Sequence, residues 1–415
     1  ADFLGTWLSP VEFARQYAKG RKIDEKNISL SKHFQFESLL SMTGANSDER
    51  FVHKPSETGA VALALYNAAT GAQVTGVNEK VKAGIMKAAK ELKNAGGAAL
   101  VVSGSNDPNV QVVVNAINQY IGAYGKTINW AVTSNYRQGV DADMVQLVAD
   151  MNAGSVGALL VAGANPAYDY AEADKFKSGL TKVGLKVSFN TKLDETTQLC
   201  QYVLPDHHYL ESWGDAEAKT GFQSFIQPTI HPLFKTRQWQ DSLLKWSGAA
   251  GDYATYLKEF WMAQVGGQEN WDAALRVGLR IPAEVGVSAG SFNGTSVGSA
   301  VAALSAAPKA GKWEVALYQK VSIGNGSQAS NPWLQEMPDP ISKATWDNYA
   351  MISAAAANEL FGIDIRKNGD SDSYDVSPAK PMLRIKANGK EIELPILIIP
   401  GTEKNTIGIA LGYGR

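Results

Sequence analysis

Asp206, His207, His208, Glu211, Asp215 and Glu217 crowd into one short stretch of the chain. Two imidazoles and four carboxylates could bind a metal ion or pass protons. The spacing argues against a metal. Adjacent histidines point to opposite faces of a strand and diverge on a helix. Neither arrangement matches the i, i+4 pair of zinc-binding helices. The expected role is a hydrogen-bonded polar loop at a sheet edge.

Two further loops could bind phosphate. Ser103-Gly104-Ser105 follows the apolar run Ala98–Val102, and Gly163-Ala164-Asn165-Pro166 follows Gly157–Ala162. Small polar residues at strand ends can cradle an anion with backbone amides. They also suit any tight α/β turn. Gly125-Lys126-Thr127 resembles the end of a phosphate loop, but Tyr120 stands where glycine is required, so that reading fails. Cys200 is the single cysteine. It excludes an internal disulfide and any all-cysteine iron–sulfur cluster within these residues. Its neighbours Leu199 and Val203 favour a buried thiol over a reactive one.

The elements that must position these loops alternate. Helices are predicted over Ser9–Gly20, Gly59–Thr70, Lys80–Asn94, Asn109–Tyr124, Ala142–Asn152 and Tyr170–Lys182. Strands are predicted over Ala98–Val102, Ile128–Val132, Gly157–Ala162, Leu185–Phe189 and Gln201–Leu204. Ile28–Ser56 reads as irregular. Trp239–Arg276 is helical and aromatic, and Gly286–Ala310 reads as a flexible surface insertion. Three prolines in NPWLQEMPDP argue against helix and central strand alike. Ser353–Phe361 is a short helix. Met382–Ile385, Glu391–Ile399 and Ile407–Ala410 are strands, with Asn388-Gly389 a hairpin turn.

The fold class is therefore α/β, with a doubly wound, mostly parallel sheet followed by a β-rich, barrel-type domain. Three divisions are expected. Residues 1–75 end an α/β domain that continues from further upstream, 76–310 form an α/β sheet domain, and 311–415 begin the β-rich domain. Both ends read as cut, so the natural polypeptide is expected to be longer. At 415 residues the chain exceeds one core. The net charge of -2 provides no basic excess for nucleic acid. No apolar run reaches the length of a membrane span.

Four motifs in order carry a resemblance: Gly163, Asn165, Pro166; then Glu195, Thr196; then Val203, Leu204, Pro205; then Glu211, Gly214. The pattern G-x-N-P, E-T, V-L-P, E-x-x-G resembles the molybdopterin oxidoreductase family. DFLGTWLSPVEFARQYAKGR, PDHHYLESWGDAE and NPWLQEMPDPISKATWDNYA are similar to one branch of it, the molybdopterin-oxidoreductase-like subunit of bacterial alternative complex III. The resemblance covers nearly the whole chain.

In that family the strand-end loops hold the ends of a pterin dinucleotide. The resemblance thus marks a vestigial cleft at Ser103, Gly104, Gly163, Asn165, Pro166, Glu195, Thr196, Glu211, Gly214 and Gly221. Relatives that bind the cofactor follow E-x-x-G with E-G-R, whose arginine pairs with a phosphate or pterin. Here the stretch is Thr220-Gly221-Phe222, and losing a bidentate donor is not conservative. The expectation is a domain with no cofactor, no metal and no catalytic residue. Phe222, Tyr168 and Trp213 are the expected fillers of its cleft. The alternative is an active molybdopterin oxidoreductase subunit.

The branch implies a scaffold in a respiratory complex that oxidises quinol and reduces a cytochrome c or similar acceptor. It implies as partners the iron–sulfur domain of the same subunit, multihaem cytochrome c subunits carrying haem c, and integral membrane quinol-binding subunits. Iron–sulfur clusters would lie in another part of the subunit. The implied location is the periplasmic face of the bacterial inner membrane. Trp246, Trp261 and Trp333 are expected to include at least one contact with another domain or subunit.

Overall fold

The computed structural model describes residues 1–23, 25, 28–281, 284–307, 311–366 and 378–414. The chain forms two compact units, Ala1–Asn129 with Ser288–Arg415, and Trp130–Val287.

In the first unit the Thr58–Thr70 helix is apolar on every side and sits centrally. Val61, Ala64, Leu65 and Ala68 pack with Val81, Ile85, Ala88 and Ala89 of the Glu79–Ala95 helix. Ala62 packs with Val110, Val113 and Val114 of Pro108–Tyr120, and with Ala300 and Leu304 of Val297–Ser305. This packing runs across residue 75. It also corrects the reading of Gly286–Ala310 as a flexible insertion. Alanine is both the best helix former and small enough for close approach, so the run from Val297 makes a core helix. Residues 308–310 of that segment lie outside the described residues.

The supposedly irregular stretch from Ile28 to Ser56 holds two short strands, Phe34–Glu37 and Glu49–Val52, paired in parallel. Four residues show too little alternation to be read from sequence. Arg50 Nε donates to Glu37 at 2.5 Å and ties them together. The predicted strand Ala98–Val102 forms no ladder. Val101 instead gives its N–H to the Asn118 side chain at 2.9 Å and accepts from it at 2.8 Å. The predicted strand Ile128–Val132 is reduced to a bridge between Tyr124 and Ile128.

The β-rich part is a curled five-stranded half-barrel sheet. Its order is Met382–Ala387, Lys390–Ile398, Ala350–Ile352, Thr406–Ala410, Glu314–Tyr318. Asn388 and Gly389, at φ 48° and 75°, make the expected hairpin turn. Pro332 does not forbid a helix. It occupies the first turn of Pro332–Glu336, where its missing N–H has no partner to lose.

In the second unit Ala158–Val161, Leu185–Ser188 and Tyr202–Val203 form a parallel sheet in sequence order. The helices Asp141–Ala153 and Ala173–Leu180 pack with Leu159 through Val148, Met151, Phe176 and Leu180. Leu160, Leu185 and Tyr202 share the other face and stay exposed. The helix predicted over Tyr170–Lys182 is shorter, preceded by one turn at Pro166–Asp169. An antiparallel hairpin, Gly214–Lys219 with Phe222–Ile226, follows and adds Leu279–Arg280. Phe225 meets Trp261 and Trp271 edge-on beneath it.

The expected α/β class and β-rich part are both present, as a mixed α/β arrangement of several small sheets and the curled half-barrel. No helix among the described residues is long and apolar enough to cross a membrane.

Candidate functional site

The carboxyl ends of the three parallel strands align, with Val161 opposite Ser188 and Ser188 opposite Val203. Their loops therefore leave one rim, where open α/β sheets collect ligands. Gly163 turns the first loop at φ 66°, a conformation that favours glycine. Its N–H donates to Asn190 Oδ1 at 2.8 Å, and Asn190 Nδ2 returns to the Ala164 carbonyl at 2.8 Å. Asn165 Nδ2 donates to Glu195 at 2.7 Å. Asn165 Oδ1 accepts from the Thr196 N–H at 3.0 Å and from its hydroxyl at 2.8 Å. Thr196 Oγ1 in turn accepts from the Ala167 N–H at 2.9 Å, just after Pro166. The G-x-N-P and E-T motifs are thus brought together and bound to each other.

The loop starting at Pro205 shares that rim. Leu204 donates to the Ser188 carbonyl at 2.8 Å and Asp206 to that of Phe189 at 3.0 Å. The stretch is not a loop throughout, because Gly214, Asp215 and Glu217 belong to the hairpin. Its acids serve the protein's own donors. Asp206 accepts from the N–H groups of His207 and Trp239, at 2.8 and 3.0 Å. Glu211 is buried and accepts from those of His208 and Leu233, both at 3.0 Å. Asp215 takes the Trp261 indole N–H at 2.9 Å, and Glu217 the Gly221 N–H at 2.6 Å.

The environments of Asp206 and Glu211 differ in sign. Burial pushes the Asp206 carboxyl up. The Leu233 and His208 N–H groups hold Glu211 below its ordinary value. The histidines diverge in their partners. His207 Nδ1 meets Thr236 Oγ1 at 2.6 Å, while His208 Nδ1 accepts the Leu210 N–H at 3.3 Å. Among the described residues no three His, Cys, Asp or Glu side chains gather as a metal site. Cys200 is half-buried, donates to the Thr196 carbonyl at 3.4 Å, and has its thiol pushed up by burial.

Thr220 and Gly221 form the tip of the hairpin, with Gly221 at φ 83°, and Phe222 begins the returning strand half-buried. Tyr168 and Trp213 are half-buried as well, Trp213 against the cluster of Phe225, Trp261 and Trp271. The Ser103–Ser105 loop belongs to the first unit and also folds on itself. Ser103 Oγ accepts from the Ser105 N–H at 3.2 Å, and Ser105 Oγ from that of Asp107 at 3.1 Å. Gln111 Nε2 donates to the carbonyls of Ser103 and Ser105, at 3.1 and 2.6 Å. A Cβ on Gly104 would lie 3.2 Å from Ala1 Cα.

Asn190 is the residue that sequence reasoning missed. It also binds Asp194 at 2.9 Å, and Asp194 accepts the Thr197 N–H at 2.8 Å. An asparagine directly after a predicted strand was the available signal.

No protein-family model matches the chain. Over 233 residues it is 27% identical to the menaquinone reductase, molybdopterin-binding-like subunit of Nitratidesulfovibrio vulgaris, covering 52% of this chain and 31% of that one. The match therefore takes in less than a third of that relative. Among solved structures, acetylene hydratase from Pelobacter acetylenicus superposes with a TM-score of 0.55 at 12% identity, over 98% of this chain and 69% of that one.

The chain thus shares the fold of acetylene hydratase and, over half its length, resembles in sequence a molybdopterin-binding-like subunit. The polar groups of this rim are already satisfied within the protein. The Gly163 and Ala167 amides and the polar atoms of Asn165 and Thr196 are engaged by neighbouring side chains.

Proposed function

We propose that the chain is a non-catalytic, cofactor-free scaffold within a respiratory complex that oxidises quinol and passes electrons to a cytochrome c or similar acceptor. The observation that carries this reading is the closed network of Asn165, Glu195, Thr196 and Asn190, in which the family's motif residues bind one another. The quinone-related role is supported by the relative's name, a menaquinone reductase subunit. On this reading the partners are an iron–sulfur domain, multihaem cytochrome c subunits and integral membrane quinol-binding subunits, at the periplasmic face of the inner membrane. Trp246 and Trp333, at 52% and 81% exposure, are the proposed aromatic contacts, while Trp261 is buried within its own unit.

The test is metal analysis and pterin fluorescence on the complex purified from its native source. The expected result is active quinol oxidation with neither molybdenum nor tungsten nor pterin in stoichiometric amount. A stoichiometric metal with its pterin would overturn the reading in favour of an active subunit.

A further inference from the structure

The segment Gln227–Arg237 presents two adjacent large apolar side chains to the outside, Leu233 at 72% and Phe234 at 77% exposure. Ile230 at 40% and Tyr209 at 66% stand beside them in sequence or through hydrogen-bonded backbone. The backbone beneath is tied down. Thr229 and Ile230 donate to the Leu210 carbonyl at 2.7 and 3.1 Å, and Leu233 to buried Glu211 at 3.0 Å. Thr236 donates to the Phe234 carbonyl at 2.8 Å, and Arg237 to that of Pro205 at 3.3 Å. Pro228 and Pro232 fix two φ angles more.

The segment's charge has one sign. It contains His231, Lys235 and Arg237 and no aspartate or glutamate. The acids beneath are occupied, Glu211 by two N–H groups and Asp206 by two others. Asp241 and Asp252 line a surface cleft together with Arg237.

We propose that Leu233 and Phe234 form a rigid apolar knob that seats in a pocket of a protein partner, with carboxylates at the pocket's rim facing Lys235 and Arg237. A lipid surface fits less well. Stable membrane attachment takes a larger basic cluster than Lys235 and Arg237, or a second anchor. A pre-ordered leucine–aromatic pair is what a formed protein pocket rewards, because little ordering entropy is lost on docking. The inference stands apart from the question of the cofactor.

The test places photoreactive benzoyl-phenylalanine at Phe234 in the full complex, in its native host, and maps the cross-linked peptide by mass spectrometry. The expected product is one peptide that contains aspartate or glutamate beside apolar residues. The double variant Lys235→Glu with Arg237→Glu should cut its yield about tenfold through like-charge repulsion. Leu233→Ser with Phe234→Ser should weaken co-purification of the same partner and leave the thermal unfolding of the isolated chain unchanged. Cross-linking to lipid alone, no cross-link, or a yield indifferent to charge reversal would overturn the proposal.

Discussion

The Asn165 carboxamide oxygen accepts from both the hydroxyl and the backbone N–H of Thr196, at 2.8 and 3.0 Å. One oxygen thus joins the loop after the first parallel strand to the loop after the second. Thr196 is fully buried, so its hydroxyl has no water to replace these partners. Thr196→Val keeps the volume, strands the Ala167 N–H and leaves the Asn165 oxygen with the Thr196 backbone N–H alone. It should cost about 1–3 kcal/mol, read as a lower urea midpoint with unchanged slope. Thr196→Ser should recover most of the loss. An unchanged midpoint for the valine variant would show that this junction adds nothing to stability.

Asn118 is 2% exposed, and its carboxamide makes both hydrogen bonds to Val101. Asn118→Leu should destabilise the chain by about 1–3 kcal/mol, the cost of removing both partners of the half-buried Val101 amide and carbonyl. Hydrogen exchange should accelerate at the Val101 amide in particular. Protection at Val101 equal to that of the unmutated chain would rule out the clamp.

Gly84 lies directly against the Phe51 ring, where an added Cβ would be 2.5 Å from Cζ. Phe51 also stacks on Phe36, with centroids 5.2 Å apart, so it has little room to retreat. Gly84→Ala should therefore destabilise by about 1–3 kcal/mol despite alanine's better helix propensity. Combining it with Phe51→Leu should cost less than the sum of the two single changes. Strict additivity in that double-mutant cycle would show that the two residues do not meet.

Lys320 is buried, with its ammonium 4.1 Å from the Tyr349 ring centroid and 4.7 Å from that of Tyr413. It donates to the Tyr413 hydroxyl at 3.1 Å. Burial lowers it to about 8, while Asp339 and Asp347 pull the other way. The unfolded chain keeps this proton to an ordinary lysine value of 10.5. Above pH 8 the unfolded state therefore binds more protons than the folded one, and stability rises with pH. The rise ends near pH 10, where the unfolded chain's tyrosines ionise. Tyr413, pushed up to about 12 by burial, stays protonated in the fold and reverses the slope there. Urea midpoints between roughly pH 7.5 and 9.5 should climb for the unmutated chain and less for Lys320→Met. Parallel profiles would show that Lys320 is not the group responsible.

The helices of this fold were legible because their ends carry local chemistry. Asn78 caps Glu79–Ala95 by accepting the Val81 N–H, and Asp107 with Pro108 opens the next long helix. The Asn388-Gly389 turn was legible for the same reason. Ala98–Val102 misled because an apolar run reports burial and not pairing. Its ladder partner is a side chain seventeen positions on, a relation no local pattern contains. At the rim, the G-x-N-P and E-T residues prove to be hydrogen-bonded to one another. Asn190 escaped because its bond to Gly163 depends on the register of two strands. Leu233 and Phe234 carry no local signal in the sequence, and only their exposure in the fold sets them apart.

The Thr406–Ala410 strand lies inside the half-barrel sheet, antiparallel to Ala350–Ile352 on one side and parallel to Glu314–Tyr318 on the other. Just before it, Gly401 accepts from Arg50 and Glu403 donates to Ser38, each at 2.7 Å. A ribosome releases residues 34–52 and 314–352 long before these partners. During synthesis both inner edges wait unpaired, a state prone to pairing with other chains. Such distant partners also make for slow closure. A stop codon that removed Thr406–Ala410 would not merely shorten the sheet. It would split it, leaving Glu314–Tyr318 with no neighbouring strand among the described residues. Chaperone demand during synthesis should therefore be set by this strand, far along the chain from the residues it pairs with.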